Sequence, residues 1–414
     1  MAPACRVAII AAATAADRTM RYAIVTDTYA PDLNGVALTL QTYVAGLRAR
    51  GHAVEVIRPR PPGAPLSDDD GESAAVRVRG LRLPRYPSLR VGLPVQTRLQ
   101  AAWRAQRPDA IYVATETLLG GSAIRAARAL GIPVVTALHT RFDLYMADYG
   151  LRALAPLALA WMRRFHGGAD ATVVATQALA AWLQAQRIGH AVVLPRAVDC
   201  AQFDPVRRDP ALRAAWGLAP GGLAVIHVGR LAAEKNLPLA IHAFRRLQQQ
   251  RPEARMVLVG DGPLREPLAR AHPDLVFAGA QRGEALGRHF ASADLFLFPS
   301  RSETFGNVVL EAMASGVPQV AFDLGAASEH LVDGLHGARV ADDAQGDAAF
   351  VAAALRLAQD DAGRAAMALA GRRAMQRLTP AQVAADLDAL LAAPRARAAS
   401  VPVRQADHHA YRAA

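Results

Sequence analysis

Short β-branched runs alternate with helical stretches along most of this chain, and the alternation stops once and then restarts. Residues 22–26, 53–57, 110–113, 134–137, 172–174 and 192–194 read as buried strands. Helical periodicity fills the intervals, over 36–50, 120–130 and 176–186. Consecutive strands joined through helices dictate parallel βαβ units, because a parallel connection needs a long crossover that packs on one face of the sheet.

The break falls at 204–220, a charged stretch containing proline, and strands resume at 224–228, 256–259, 275–277, 295–298 and 318–322. Pro238 opens a helix in this half at a first-turn position. At 414 residues the chain exceeds one core of roughly 150 residues, so the expected fold class is α/β with two doubly wound Rossmann-like domains. The boundaries read as an N-terminal extension at 1–19, a first domain at 20–203, a second at 204–379, and a helix with a tail at 380–414. Thr379 caps that last helix ahead of Pro380; we expect it to cross back to the first domain and the tail to be poorly ordered. Two open sheets of this kind bind ligands in the crevice at the carboxyl ends of their strands.

Composition excludes other classes. Hydrophobic residues are 52% and charged residues 20%, which suits filled cores and argues against disorder. Cys5 and Cys200 form no disulfide framework, so a reducing, cytoplasmic setting is expected. The apolar run at 7–16 is too short to span a bilayer. A net charge of +11 raises nucleic acid or an anionic membrane as partners, yet 46 of the 47 cations are arginines, a bias that genome composition explains as well as function does. The single lysine, Lys235, stands out.

Lys235 lies in Val228-Gly229-Arg230-Leu-Ala-Ala-Glu-Lys235, between a strand and a helix. On a loop at the strand's carboxyl end, a guanidinium and a compact ammonium are suited to gripping a diphosphate. A second segment runs Ser302-Glu303-Thr-Phe305-Gly306-Asn307-Val-Val-Leu-Glu311, from a strand end into a helix. Helix amino termini offer free N–H groups to phosphate, and carboxylates accept hydrogen bonds from sugar diols. Taken alone, each segment also reads as an ordinary charged loop or a helix surface.

Together these motifs resemble the Glu-x7-Glu signature of family 4 retaining glycosyltransferases, with Gly229-Arg230, Glu234-Lys235-Asn236 and Gly316-Val-Pro318 in the same order. The resemblance extends over about residues 20–390 and implies the GT-B fold, two such domains facing across a cleft. By that resemblance Asn34 and Gly35, in Asp27-Thr-Tyr-Ala-Pro31-Asp-Leu-Asn34-Gly35-Val36, belong to a first loop whose backbone approaches the donor phosphates. Arg230 and Lys235 would hold the diphosphate, Glu303 the hydroxyls of the donor sugar, Glu311 the ribose diol, and His139, before Thr140, would sit beside the reacting sugar. Gly229, Phe305, Gly306 and Asn307 complete the donor site, and His139, Arg230, Lys235 and Glu303 the catalytic set. Gly325-Ala326 replaces a Gly-Gly pair frequent in the family.

The closest likeness is to GDP-mannose-dependent α-mannosyltransferases, with UDP-sugar donors as the alternative. No Asp-x-Asp pair is placed to chelate a metal, and the acidic run at 68–70 reads as a loop. No cofactor or metal is therefore expected, only a nucleotide-sugar donor. Residues 76–107 hold eight arginines, no acidic residue, and Tyr86 and Trp103. They suit either an anionic membrane surface or a solvated basic face; residues 151–164 read as a core helix first and a membrane contact second. A lipid-linked or saccharide acceptor at the inner membrane face is expected, with no nucleic acid as partner. The rivals are a non-catalytic basic binding protein, a nucleotide-sugar epimerase, and a phosphorylase. A phosphorylase using pyridoxal phosphate needs a Schiff-base lysine, and Lys235 is already assigned.

Overall fold

The computed structural model describes residues 18–32, 34–60, 75–83, 86–139 and 155–393. Nearly all of the expected extension, the acidic run at 68–70, Thr140, and the tail from 394 onward lie outside the described residues.

In chain order, β1 (Arg21–Val25), α1 (Gly35–Ala49), β2 (Ala53–Pro59) and β3 (Ala75–Val78) precede an antiparallel hairpin of β4 (Gly80–Leu83) and β5 (Tyr86–Gly92). Then come α2 (Gln96–Ala105), β6 (Ala110–Val113), α3 (Leu118–Ala129), β7 (Val134–Ala137), α4 (Ala155–His166), β8 (Ala171–Val174), α5 (Gln177–Ala185) and β9 (Ala191–Val193). The next half comprises α6 (Pro210–Ala215), β10 (Ala224–Val228), α7 (Leu237–Gln248), β11 (Arg255–Val259), α8 (Arg265–Ala271), β12 (Val276–Gly279), α9 (Gly283–Ala291), β13 (Leu295–Phe298) and α10 (Asn307–Ala314). β14 (Gln319–Phe322), α11 (Gly325–His330), β15 (Gly337–Val340), α12 (Gly346–Gln359), α13 (Asp361–Met375) and α14 (Pro380–Ala392) close the order.

Two parallel sheets result, ordered β3-β2-β1-β6-β7-β8-β9 and β12-β11-β10-β13-β14-β15. Their strands are apolar on both faces because helices cover both. Tyr22 and Ile24 enter one core layer while Ala23 and Val25 enter the opposite one, as the two-residue period of a strand requires. Ile226 and Val225 divide in the same way between the layers of the second sheet. The strand order reverses at β1/β6 and at β10/β13, so the loops after those four strands form the crevices at the switch points.

The structure corrects one part of the basic stretch at 76–107. It folds into β3, the hairpin and α2, and Trp103, only 1% exposed, packs in the core with Leu99. A membrane surface built with that indole is therefore ruled out: the arginines spread along the stretch, two of them in α2 itself, mask the apolar face of a short amphipathic helix when the sequence is read by charge. In α4, Met162 and Phe165 are buried and the Trp161 indole N–H donates to the Glu116 carbonyl at 2.8 Å, the arrangement of a core helix. Strand β15, short and carrying Gly337 and Arg339, gave no pattern to read.

α14 lies on the first half of the chain. Val383, Leu387, Leu390 and Leu391 fill the same core layer as Tyr22 and Ile24. Gly46 in α1 allows the approach, since a methyl there would sit 2.4 Å from the Ala384 Cβ. Asp388 fastens it, accepting hydrogen bonds from the Tyr22 hydroxyl at 2.7 Å and Arg50 Nε at 3.0 Å.

Candidate functional site

The loop after β10 is pinned against the loop after β11. The Gly229 amide donates to the Val259 carbonyl at 3.0 Å and the Leu231 amide to the Asp261 carbonyl at 2.9 Å. Only glycine fits at 260, where a Cβ would lie 1.8 Å from the Gly229 carbonyl oxygen. Beyond it a short 3-10 turn, Ala233–Lys235, ends in Asn236 with a left-handed φ of 50° before α7 begins. Arg230 is half exposed and stands 3.5 Å from Glu234. Lys235 turns the other way: its Nζ donates to Glu303 Oε1, and both side chains are largely sheltered, at 19% and 13% exposure. The Ser300 and Ser302 hydroxyls donate to the Glu234 carbonyl at 3.4 and 3.3 Å, knitting the loops after β10 and β13 together.

From Glu303 the chain enters α10 through Gly306, whose φ of 90° is a conformation that favours glycine. Across the cleft stands the start of α1. A Cβ on Gly35 would lie 3.7 Å from Asn307 Nδ2, so the first loop and the start of α10 face each other. The Asn34 side chain is engaged as a helix cap: Oδ1 accepts from the Val36 and Ala37 amides and Nδ2 donates to Thr28 Oγ1 at 2.6 Å. It offers a ligand backbone rather than side chain. Glu311, within α10, has a carboxylate oxygen that is buried without a partner, and burial pushes its carboxyl up to about 7.

His139 follows β7 and leans on a residue that sequence reasoning missed. Arg196, three residues beyond Val193 at the end of β9, donates from one amino group to His139 Nδ1 at 2.9 Å and from the other to Thr39 Oγ1. A guanidinium only donates, so His139 accepts at Nδ1 and carries its proton on Nε2, 3.4 Å from the Tyr112 hydroxyl. Burial, and then the neighbouring Arg196 cation, hold the imidazole well below its usual pKa and therefore neutral. The guanidinium also lies 5.8 Å from the centroid of the Phe305 ring, which brings the β9 end and the Glu303 loop together.

His227 was missed as well. It reads as one apolar position among five in β10 and is fully buried. Its Nδ1–H donates to the Leu297 carbonyl at 3.0 Å, and burial drives its pKa down to about 4. Nε2 has no partner and lies 3.6 Å from where a Gly229 Cβ would sit. Position on a strand next to a glycine at its carboxyl end was the available signal. Across the two halves, the Gln177 amide donates to Glu329. The Gly325-Ala326 departure is accommodated: the Ala326 amide donates to the Phe305 carbonyl at 2.6 Å and the Ala326 methyl is buried.

The structure thus gathers the expected residues as neighbouring groups: Arg230, Lys235 and Glu303 at the β10 and β13 loops, Asn34, Gly35 and Asn307 across the cleft, and His139 with Phe305 through Arg196. Glu311 sits behind them in α10. Among the described residues no three His, Cys, Asp or Glu side chains cluster as metal ligands, and no helix is long and apolar enough to cross a membrane.

Two parallel doubly wound sheets, with cations and carboxylates at facing switch points, define a nucleotide-sugar glycosyltransferase of GT-B type. Comparison with known proteins agrees. Residues 33–202 match the family described as Glycosyltransferase Family 4, and residues 222–360 match Glycosyl transferases group 1. The chain is 38% identical over 310 residues to a GDP-mannose-dependent alpha-mannosyltransferase of Mycolicibacterium smegmatis, covering 74% of this chain and 80% of that protein. It is 31% identical to a GDP-mannose-dependent alpha-(1-6)-phosphatidylinositol dimannoside mannosyltransferase of Mycobacterium tuberculosis, over 73% and 79% of the two chains. Sucrose-phosphate synthase from Thermosynechococcus elongatus shares the fold at a TM-score of 0.74 and 20% identity, covering 92% of this chain and all of that one. This chain belongs to the family 4 glycosyltransferases and is a hexosyltransferase.

Proposed function

We propose that the protein transfers mannose from GDP-mannose, with retention of configuration, to a lipid-linked or saccharide acceptor. The donor assignment is supported by the 38% identity to a GDP-mannose-dependent enzyme. The observation that carries the site is the Lys235–Glu303 pair at the β10/β13 switch point, with the unpartnered Glu311 carboxylate behind it in α10.

In this reading Glu311 accepts from the ribose diol, Glu303 from the sugar hydroxyls, and Arg230 and Lys235 hold the diphosphate. The backbone at Asn34 and Gly35 meets the phosphates from across the cleft, and Phe305, Gly306 and Asn307 line the sugar. The acceptor hydroxyl attacks C1 on the face from which the diphosphate leaves. The C1–O bond to phosphate breaks with its electron pair going to the diphosphate, the new C1–O bond forms, and the acceptor proton passes to the departing phosphate oxygen. His139, neutral and fixed with its proton on Nε2, donates a hydrogen bond beside the reacting sugar rather than charge.

The leaving charge is met by guanidinium, ammonium and helix amino ends, so the reaction needs no divalent ion. An acceptor on an anionic membrane surface at the cytoplasmic face suits the arginines outside the core of 76–107 and the lipid named for the mycobacterial relative. A screen of GDP- and UDP-sugars for thermal stabilisation, followed by transfer assays with the ligand that binds, tests the reading. Stabilisation by UDP-sugars alone would move the donor assignment to the alternative; a failure of every sugar nucleotide to bind would end it.

A further inference from the structure

The cleft contains a buried cation with no anion beside it. Arg196 is 6% exposed, and its contacts are a hydroxyl (Thr39), a neutral imidazole (His139) and an aromatic face (Phe305). Among the described residues it has no carboxylate partner. Arg364, similarly buried, shows the usual arrangement: it donates to the Leu357 and Ala358 carbonyls and pairs with Asp361.

A guanidinium does not shed its proton to escape burial, and an unpaired buried charge is costly. The surroundings of Arg196 add to the positive potential. Thr39, which it contacts, opens the second turn of the 15-residue helix α1 and donates in turn to the Gly35 carbonyl at 2.7 Å, so the amino-terminal, positive end of that helix lies close by. His139 accepts from the guanidinium and cannot take up a compensating role as a charged partner. What this arrangement lacks is an oxyanion, and a planar fork of N–H donors is the group best matched to one.

We propose that Arg196 is a phosphate-binding residue of the cleft, the third cation of the site after Arg230 and Lys235. It is supplied by the first half of the chain, whereas those two come from the second. This proposal rests on the donor-site reading above. The phosphate has two sources of the same chemistry: the diphosphate of the donor, or a phosphate in the headgroup of the acceptor. Engaging it ties the β9 end to the Phe305 loop through the ligand and holds His139 in its Nε2–H form.

The test is calorimetric titration of the full-length protein, its Arg196→Met and Arg196→Lys variants, and Glu311→Ala, with GDP, GMP and inositol 1-phosphate. If the donor supplies the phosphate, Arg196→Met weakens GDP binding by about tenfold to a hundredfold, the scale of a lost charge-assisted contact. GMP is affected less, and Arg196→Lys falls between. If the acceptor supplies it, GDP binding is retained and inositol 1-phosphate binding is lost. Melting without ligand guards against a merely structural role: Arg196→Met should melt no lower than wild type, because an unpaired buried charge has been removed. A variant that melts lower yet binds every ligand within twofold of wild type overturns the proposal. Loss of GDP binding in Glu311→Ala with no change in either Arg196 variant leaves the donor site standing and removes Arg196 from it. A wild-type protein that binds none of the three ligands overturns both.

Discussion

Lys235 and Glu303 are bonded to each other across the β10 and β13 loops, ammonium to carboxylate, in a chain with no other lysine. Each is assigned to a different part of the donor, so binding must exchange their mutual bond for bonds to ligand. Lys235→Ala should lower turnover by about 100- to 1,000-fold, the scale of removing one preorganised electrostatic group. Glu303→Gln should fall in the same range. The double variant should be little worse than either, because the two act as a unit. Steady-state kinetics on the four proteins checks this; strictly multiplicative losses would contradict it.

Donor affinity should depend on pH through Glu311. With its carboxyl at about 7 in the ligand-free protein, the residue is largely protonated in mild acid and does not serve there as a full acceptor for two hydroxyls. Affinity for GDP should rise between pH 6 and about 8 and then level, and Glu311→Gln should be weaker and flat across that window.

The same group carries a stability prediction of the opposite sense. Its folded pKa lies above the ordinary carboxylate value, so its contribution to stability is complete below about 4.3 and is lost as pH rises through about 7. Glu311→Gln should therefore melt higher than wild type at pH 8 and close to it at pH 5, by calorimetry without ligand.

His139 should leave no inflection near pH 6.5 in kcat/KM, since burial and Arg196 keep it neutral well below that pH. His139→Ala should reduce kcat/KM by about 10- to 100-fold through a lost hydrogen bond without altering the shape of the profile.

Transfer should continue unchanged in EDTA, because the proposed site meets the leaving charge with Arg230, Lys235 and helix ends. A rate restored only by Mg²⁺ or Mn²⁺ would contradict this.

α14 is predicted to act as part of the first core. Leu387 is fully buried beside Tyr22 and Ile24, and Leu387→Ala should cost about 2–5 kcal/mol, measured by urea unfolding.

Much of this was legible along the chain, since strand and helix periods are local properties. Nine of the eleven strands read from sequence fall within a residue of their observed limits, and the Gly229 to Lys235 and Glu303 to Glu311 segments each announce themselves as a loop followed by a helix. The Glu-x7-Glu spacing and the lone lysine pointed along the chain to the residues proposed for the donor side.

Tertiary structure alone decided which charges lack partners. Trp103 moved from a basic surface into the core because packing of α2, not its arginines, set its position. Arg196 and His227 are unremarkable in a sequence so rich in arginine and in buried strands. Their meaning lies in what surrounds them: His139, Thr39 and Phe305 are 57, 157 and 109 positions away from Arg196 in one case or another. Local order follows from neighbours along the backbone, whereas the cost of a buried charge depends on every group the fold brings near it.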